Sequence, residues 1–235
     1  MNRNYKEIYD ESLKNPEEFW QKVSEDVFWF KKPTKILKKD NPPFYKWFED
    51  GVTNTCYNAL DLHIDQGRGD KTALIYDSPI TESKAKFTFK ELKEKVSKFA
   101  GALDKQGVKK GDRVIIYMPM IPEAVVAMLA CGRIGAIHSV VFGGFASNEL
   151  ASRIDDSKAK ILITASCGFE PGRTVEYRPL VDGALKLAKH QVEKVILFQR
   201  KDHEVKLNKP LEISWDEALS GANDKDCVEM GANDY

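Results

Sequence analysis

A chain of 235 residues, of which 42% are hydrophobic and 31% are charged, is long enough to bury the core of a soluble globular protein. Its 36 basic and 36 acidic residues give a formal net charge of zero, which argues against nucleic acid or an anionic membrane as a partner and favours a small molecule or a protein. The four cysteines match neither a zinc knuckle nor a dense disulfide framework, and no apolar stretch is long enough to cross a membrane, so we expect reduced thiols and a cytoplasmic location.

Residues 1–56 are interpreted as a mainly helical and irregular arm that packs on a core, because they contain three of the four tryptophans and no long strand-like run. A helix is predicted to begin at Pro16, with Asn15 as its cap and Glu18 reaching back to the cap amide. Three apolar side chains at four-residue spacing are expected to share one face of that helix: Phe19, Val23 and Val27.

From residue 72 onward, predicted strands and helices alternate. Residues 72–76 and 86–89 are expected to form a hairpin, and a capping box at Thr88–Glu91 begins a helix with a single apolar stripe. Further strands are predicted at residues 114–117, 136–142, 160–165 and 195–198, with helices over 122–135, 147–157 and 178–189 between them. This order predicts an α/β fold with a mostly parallel sheet and helices on both faces. The stretch 111–144 is expected at the centre of the sheet, and the last fifteen residues carry no predicted element.

The sequence lacks several motifs that identify enzyme classes. No Walker-type phosphate loop is present and no Gly-x-Gly-x-x-Gly follows the first strand, which argues against a simple nucleotide hydrolase or a dinucleotide enzyme. Gly-x-Ser-x-Gly and His-Glu-x-x-His patterns are also absent, which removes the main support for a serine hydrolase or a zinc protease. Cys167 is the only thiol in a predicted loop, but no histidine lies beside it in the sequence, so a structural thiol is favoured. His138, inside an apolar run, is interpreted as a hydrogen-bonded core histidine.

Two predicted loops follow strands at the carboxyl edge of the sheet, where open α/β sheets bind ligands. Gly143-Gly144 ends one strand, and paired glycines let the backbone approach a ligand closely, although these residues alone favour a plain tight turn. The second loop, Cys167–Arg173, ends in an arginine whose guanidinium can bind a phosphate through two parallel hydrogen bonds. From residue types alone, a solvated surface arginine is the favoured interpretation of Arg173.

Four segments of the core resemble the amino-terminal half of AMP-forming short-chain acyl-CoA synthetases, the acetyl-CoA and propionyl-CoA synthetase group: Tyr117–Glu123, Ala127–Cys131, Arg133–Phe145 and Arg153–Ser157. Shorter segments resemble the amino-terminal arm of that family: Phe19-Trp20, Pro42–Phe44, Trp47-Phe48 and Asp50-Gly51. The resemblance implies an arm over residues 1–56 and, over residues 57–235, the first part of the AMP-binding domain, which is the first subdomain of an adenylate-forming enzyme's large domain. It also implies a ligase that joins a short carboxylate to ATP with Mg²⁺, releases pyrophosphate, and passes the acyl group from acyl-AMP to coenzyme A.

The resemblance implies seven coenzyme A-binding residues: Phe142, Gly143, Gly144, Glu170, Pro171, Gly172 and Arg173. Phe142 and the glycine pair would lie against the adenine or ribose, and Arg173 would pair with a phosphate. Acetyl-CoA synthetases carry a second arginine where this chain has Glu170, and a carboxylate there cannot pair with phosphate and would repel it. The segment Glu170–Arg173, together with Tyr177–Leu180, is more similar to the propionyl-CoA synthetase branch, which favours propionate over acetate as the substrate.

The family's Ser/Thr/Gly-rich phosphate loop, acyl pocket, magnesium-associated glutamate and lid with the catalytic lysine all come later than residue 235. We therefore expect an amino-terminal fragment that holds no catalytic residue, is inactive by itself and binds no cofactor tightly. Two alternatives remain: a non-catalytic module that binds coenzyme A, a nucleotide or a protein, and an adenylating ligase for other carboxylic acids. The arm argues against the second alternative, because it resembles the short-chain group.

Overall fold

The computed structural model describes residues 4–201 and 203–235. The first part of the chain forms helices α1 (Tyr5–Lys14) and α2 (Pro16–Val23), strands β1 (Leu37–Lys38), β2 (Lys46–Trp47) and β3 (Val52–Thr53), π-helical turns at Tyr57–Asp61 and Ile64–Arg68, and strands β4 (Thr72–Ser78) and β5 (Ser83–Thr88). The core elements follow as α3 (Phe89–Lys105), β6 (Arg113–Met118), α4 (Pro122–Arg133), β7 (Ile137–Phe142), α5 (Ser147–Ser157), β8 (Ile161–Ala165), β9 (Cys167–Glu170), β10 (Arg173–Glu176), α6 (Tyr177–Leu187), β11 (Lys194–Phe198), β12 (Glu212–Ser214), α7 (Trp215–Leu219) and β13 (Met230–Gly231). None of the helices within these described ranges is long and apolar enough to cross a membrane.

The largest sheet consists of five parallel strands in the order β12-β11-β8-β6-β7. Strand β8 lies at its centre and is buried along its whole length, as expected for a strand that is covered on both faces. Helices α3, α4 and α7 pack together on one face, and α5 packs with α6 on the other. The prediction of a mostly parallel α/β sheet with helices on both faces is confirmed, and the predicted hairpin forms between β4 and β5.

The stretch 111–144 lies to one side of this sheet, so the prediction that it forms the centre was wrong. Strand β6 is second from the edge and β7 is the edge strand. Order along the chain does not set order in a sheet, because after β7 the chain crosses back over β6 and places β8 on the other side of it. As an edge strand, β7 exposes Val140 and Phe142 to solvent.

Helix α3 begins where its capping box predicted. The Thr88 hydroxyl accepts a hydrogen bond from the Glu91 backbone N–H at 3.2 Å, and the Glu91 carboxylate accepts one from the Thr88 N–H at 2.8 Å. The predicted apolar stripe of the helix is buried in full: Leu92, Val96, Phe99, Ala100 and Leu103. This stripe anchors α3 against α4 and α7 on the first face of the sheet.

Helix α2 begins at Pro16 as predicted, but the Asn15 side chain forms no capping hydrogen bond. The reason is that Asn15 also ends α1, where its backbone N–H donates to the Glu11 carbonyl at 3.1 Å and its conformation is φ −131°, ψ 65°. Val27 lies beyond the last residue of α2 and is exposed, so it does not share the predicted helix face with Phe19.

Residues 220–235, here named the C-terminal segment, run along α3 and return to the arm. The Ser97 hydroxyl donates to the Lys225 carbonyl at 2.7 Å and accepts the Lys225 N–H at 3.1 Å. Strand β13 then pairs antiparallel with β3. The expectation that the last fifteen residues carry no element was therefore wrong, because β13 exists only through pairing with a strand far away in the sequence.

Candidate functional site

The segment Phe142–Phe145, here named the glycine turn, lies at the carboxyl end of the edge strand β7. The Phe142 carbonyl accepts a hydrogen bond from the Phe145 N–H at 3.2 Å. Gly144 has φ +102°, which residues with side chains rarely adopt, and open space lies where its Cβ would be. The Phe142 side chain is 68% exposed and packs on the Phe145 ring at 5.6 Å. The turn thus presents bare backbone and an apolar ring at the edge where α/β sheets bind ligands.

Tyr177, the first residue of α6, joins the glycine turn to the neighbouring hairpin. A Cβ at Gly143 would lie 2.1 Å from the Tyr177 hydroxyl and 2.9 Å from the Met118 carbonyl oxygen, so only glycine fits there. A Cβ at Gly168 would lie 3.0 Å from the same hydroxyl. The sequence carried no signal for this role of Tyr177, because the role depends on which two loops the fold brings together.

A second tyrosine, Tyr117, holds the backbone of the glycine turn. Its hydroxyl donates to the Phe145 carbonyl at 2.7 Å and accepts the Gly144 N–H at 3.3 Å, and its ring lies 4.9 Å from the Tyr177 ring. Burial raises the pKa of Tyr117 and the pKa of Tyr177, so both phenols stay neutral at physiological pH. The turn is therefore held in place by two neutral phenols.

The predicted loop Cys167–Arg173 is instead most of a β-hairpin, so its assignment as a loop was wrong. Strands β9 and β10 pair antiparallel with Arg173 opposite Glu170, and the connecting turn is Pro171-Gly172. Gly172 has φ +76°, a backbone conformation of tight turns that glycine adopts readily and other residues rarely do. The hairpin will be called the carboxyl-edge hairpin (β9 and β10), and it carries the four implied site residues from Glu170 to Arg173.

Arg173 and Glu170 form an ion pair with each other at the tip of the carboxyl-edge hairpin. The Arg173 Nε and Nη2 atoms lie 2.7 and 2.6 Å from the same Glu170 carboxylate oxygen. The two side chains are 71% and 42% exposed, and an ion pair in water at this exposure contributes at most about 1 kcal/mol. A phosphate that binds Arg173 must therefore displace the Glu170 carboxylate, which is also negatively charged and is bound only weakly.

Two residues that the sequence singled out lie outside this arrangement. Cys167 is buried in β9, and burial raises the pKa of its thiol, which agrees with a structural thiol and not with a nucleophile. His138 is exposed on the edge strand β7, so the prediction of a core histidine was wrong. The alternation of a strand explains the error, because every second residue of an apolar run at a sheet edge faces outward.

A cavity of about 650 Å³ opens beside the carboxyl-edge hairpin, between the β4–β5 hairpin and the carboxyl ends of β6 and β11. Its walls include Glu123, Phe169 and Arg200, and the Arg200 guanidinium lies 5.0 Å from the centre of the Phe169 ring. Burial raises the pKa of the Glu123 carboxyl. Aromatic and cationic surface in one cleft suits a planar or anionic ligand.

Replacing Gly143 with alanine is expected to destabilise the fold by about 2 kcal/mol, because the new methyl group overlaps the Tyr177 hydroxyl. Tyr177→Phe removes the nearest overlapping atom, so we expect the double variant to regain part of the lost stability. Chemical denaturation of the wild type, both single variants and the double variant measures this coupling. Strictly additive losses in the double variant would contradict the assigned contact.

Comparison with known proteins agrees with this architecture. A family model described as "AMP-binding enzyme" matches residues 63–230, and a model described as "Acetyl-coenzyme A synthetase N-terminus" matches residues 5–59. The solved structure of acetoacetyl-CoA synthetase from Streptomyces lividans superposes with a TM-score of 0.87 at 24% identity, over 99% of this chain and 35% of that chain. At that identity the superposition supports the fold alone.

Curated relatives are more similar in sequence. Human "Acyl-CoA synthetase short-chain family member 3, mitochondrial" is 53% identical over 227 residues, which is 96% of this chain and 33% of the relative. "Acetyl-coenzyme A synthetase" from Streptomyces avermitilis is 45% identical over 211 residues, which is 90% of this chain and 32% of the relative. The chain thus spans about a third of the length of the curated relatives that it matches. These matches confirm the resemblance to short-chain acyl-CoA synthetases, and the chain belongs to the AMP-binding enzyme family.

Proposed function

We propose that this chain is the part of a short-chain acyl-CoA synthetase that binds the nucleotide end of coenzyme A. The parent protein would be an AMP-forming acid–thiol ligase that uses ATP with Mg²⁺ to make an acyl-AMP and transfers the acyl group to coenzyme A. Residues 1–56 would serve as its arm and residues 57–235 as the first part of its AMP-binding domain. The observation that carries the proposal is that the glycine turn and the carboxyl-edge hairpin meet through Tyr177 at one ligand edge of the sheet.

The arrangement of backbone and charge supports a nucleotide at this edge. Gly144 and Gly172 both have open space at the Cβ position, so a planar base or a ribose can approach the backbone of either turn. Arg173 is exposed, and its fork of donors suits a phosphate of coenzyme A. Phosphate would displace Glu170 from Arg173, and repulsion between phosphate and that carboxylate would keep the affinity of this chain low.

Catalysis is proposed to need more than residues 1–235. The chain spans about a third of the length of its relatives, and the groups that position ATP and stabilise charge in phosphoryl transfer supply most of the rate enhancement in such reactions. We expect the purified chain to release no pyrophosphate from propionate or acetate with ATP and Mg²⁺. Propionate-dependent release of pyrophosphate by this chain, measured with a coupled pyrophosphate assay, would overturn that expectation.

Similarity of Glu170–Arg173 and Tyr177–Leu180 to the propionyl-CoA synthetase branch supports propionate as the substrate of the parent protein.

Coenzyme A affinity of the chain tests the site directly. Isothermal titration is expected to give binding that Arg173→Ala weakens roughly tenfold and Glu170→Gln strengthens severalfold, because the first removes a phosphate ligand and the second removes its competitor. Arg153→Ala, an exposed arginine on α5, serves as the charge-matched control and is expected to leave the affinity unchanged.

Dephospho-coenzyme A identifies which phosphate Arg173 contacts. If Arg173 pairs with the 3′-phosphate, the wild-type chain binds the dephospho compound about as weakly as Arg173→Ala binds coenzyme A. Equal loss of affinity in Arg173→Ala and Arg153→Ala would instead show that only net charge matters, and it would remove the site assignment.

A further inference from the structure

Two thiols from distant parts of the chain lie together inside the fold, away from the candidate site. Cys56, which follows β3, and Cys227, in the C-terminal segment, form a cluster with Asp61 in which the sulfur and carboxylate atoms lie within 4.8 Å of one another. Cys56 is 1% exposed, and Cys227 is partly exposed. A cysteine sulfur moves only by rotation about its Cα–Cβ bond, so side-chain rotation alone would have to bring the two sulfur atoms into bonding distance.

The backbone around the two thiols is held in place by Asn54, which is buried. Its amide group donates to the Gly132 carbonyl at 2.9 Å and to the Val228 carbonyl at 2.8 Å, and its oxygen accepts the Cys56 N–H at 2.8 Å. The Val228 N–H in turn donates to the Arg133 carbonyl at 2.9 Å. The backbone on both sides of the cluster is thus tied to the end of α4, and the proximity of the thiols is built into the fold.

A metal ion does not suit this cluster, because the Arg133 guanidinium already occupies the place of a cation. Its Nη1 atom lies 2.7 Å from the Asp61 carboxylate, 3.1 Å from the Cys227 sulfur and 3.6 Å from the Cys56 sulfur. The second Asp61 oxygen is bound by Arg133 Nη2 at 3.0 Å and by Lys93 at 3.2 Å. A divalent cation would have to lie against a buried guanidinium, which Coulomb repulsion opposes.

The two thiols differ in acidity, and a surface cavity borders the more buried of them. The hydrogen bond from Cys227 and the nearby Arg133 lower the pKa of Cys56, although burial opposes them, whereas that hydrogen bond and burial raise the pKa of Cys227. Cys56 also lines a surface cavity of about 340 Å³, which admits a molecule as small as a hydroperoxide. The other two cysteines are fully buried, and burial raises the pKa of Cys131 to about 12.

We propose that Cys56 and Cys227 are a redox modification site, in which a hydroperoxide converts the two thiols to a reversible disulfide that ties the C-terminal segment to the residues after β3. The Cys56 thiolate attacks one peroxide oxygen, the O–O bond breaks and hydroxide leaves, which gives a sulfenic acid at Cys56. The Cys227 sulfur then attacks the Cys56 sulfur, the S–O bond breaks, and the leaving hydroxide takes the Cys227 proton as water. In total two thiols lose two electrons and two protons, and the peroxide becomes two waters or, for an alkyl hydroperoxide, water and alcohol.

Asp61 and Arg133 position the reacting groups. The Cys227 sulfur lies 3.8 Å from the Asp61 carboxylate, and the Arg133 guanidinium, which contacts both sulfurs, stabilises negative charge on the attacking thiolate. The disulfide would close a loop across most of the chain. A thiol reductant restores the two thiols by thiol–disulfide exchange.

The experiment treats the purified chain with hydrogen peroxide, blocks remaining thiols, and measures intact mass and peptide maps without reduction. We expect a loss of two hydrogens, a cross-linked peptide pair that contains Cys56 and Cys227, and full reversal by dithiothreitol. This measurement on the wild type needs no substitution, so a folding defect in a variant cannot hide the result. Cross-links to Cys131 or Cys167, oxygen additions without a disulfide, or a retained zinc ion in native mass spectrometry would each overturn the proposal.

Matched cysteine variants separate the two chemical steps. Cys131→Ser and Cys167→Ser are expected to form the disulfide as the wild type does. Cys227→Ser is expected to stop at a sulfenic acid on Cys56 that dimedone traps, and Cys56→Ser is expected to give neither product. Dimedone labelling of Cys227 in place of Cys56 would show that Cys56 is not the attacking thiol, and it would overturn the mechanism.

Discussion

Alanine at position 101 is expected to destabilise the fold by about 3 kcal/mol or more, although alanine is the better helix former. Gly101 is buried near the carboxyl end of α3, where the C-terminal segment crosses the helix, and a Cβ there would lie 1.7 Å from the Asn223 carbonyl oxygen. The obstacle is backbone rather than a flexible side chain, so the segment must move away. Moving it would strain the contacts of Ser97 with Lys225.

Gly132→Ala is the matched control for Gly101→Ala, because Gly132 also lies inside a helix of the same face. A Cβ there would meet only the Cys56 Cβ at 4.0 Å, an ordinary contact, so we expect a gain of about 0.5 to 1 kcal/mol from helix propensity. Chemical denaturation followed by circular dichroism measures both changes. If Gly101→Ala were as stable as Gly132→Ala, the C-terminal segment would not pack on α3.

Arg133→Met is expected to cost about 3 to 5 kcal/mol at pH 7, because it leaves the buried Asp61 carboxylate without its main partner. The Arg133 side chain is fully buried and that of Asp61 is 8% exposed, and two guanidinium nitrogens bind the two carboxylate oxygens. Lys93 remains beside Asp61 and limits the loss. Arg113→Met, which removes only hydrogen bonds to backbone carbonyls, is the control and is expected to cost about 1 kcal/mol.

The pH dependence of the stability of Arg133→Met shows whether the unpaired Asp61 charge causes the loss of stability. Burial alone would raise the pKa of Asp61, but hydrogen bonds and charge from Arg133 and Lys93 lower it in the wild type. The ionised Asp61 carboxylate therefore stabilises the wild type at neutral pH, and this stabilisation is lost only as pH falls below about 4, the ordinary pKa of an aspartate. Without Arg133, burial raises the Asp61 pKa, and protonation relieves the penalty as pH falls. The stability gap between wild type and variant should therefore narrow from pH 7 to pH 4; a constant gap would assign the loss to packing.

Elements that depend on neighbouring residues were predictable from the sequence. The capping box at Thr88–Glu91, the apolar stripe of α3 and the β-branched runs of β6, β8 and β11 each encode their structure within a few residues. Asn15 shows the limit of such reasoning: α2 begins after it as predicted, but its side chain forms no cap, because the same residue ends the preceding helix.

The residues of the candidate site remain a prediction from the family resemblance, and their arrangement in space could not be read from the sequence. Residue type alone favoured a plain turn at the glycine pair and a solvated arginine at position 173, and only the family resemblance implied a site there. The pairing of Glu170 with Arg173 needs the hairpin to place them opposite each other. Tyr177 contacts both turns only because α6 begins where the two segments meet. Contacts between distant residues leave no local pattern, so the sequence could not show them.

The sequence by itself determined the alternation of strands and helices, the parallel sheet and the glycine turn after β7, because these follow from local periodicity and backbone preference. Only the tertiary structure decided that β7 lies at the sheet edge, that the C-terminal segment packs against Gly101, and that Arg133 contacts Asp61 and two thiols in one cluster. The physical reason is that a buried charge and a close backbone contact are satisfied by partners that the chain brings together only when it folds.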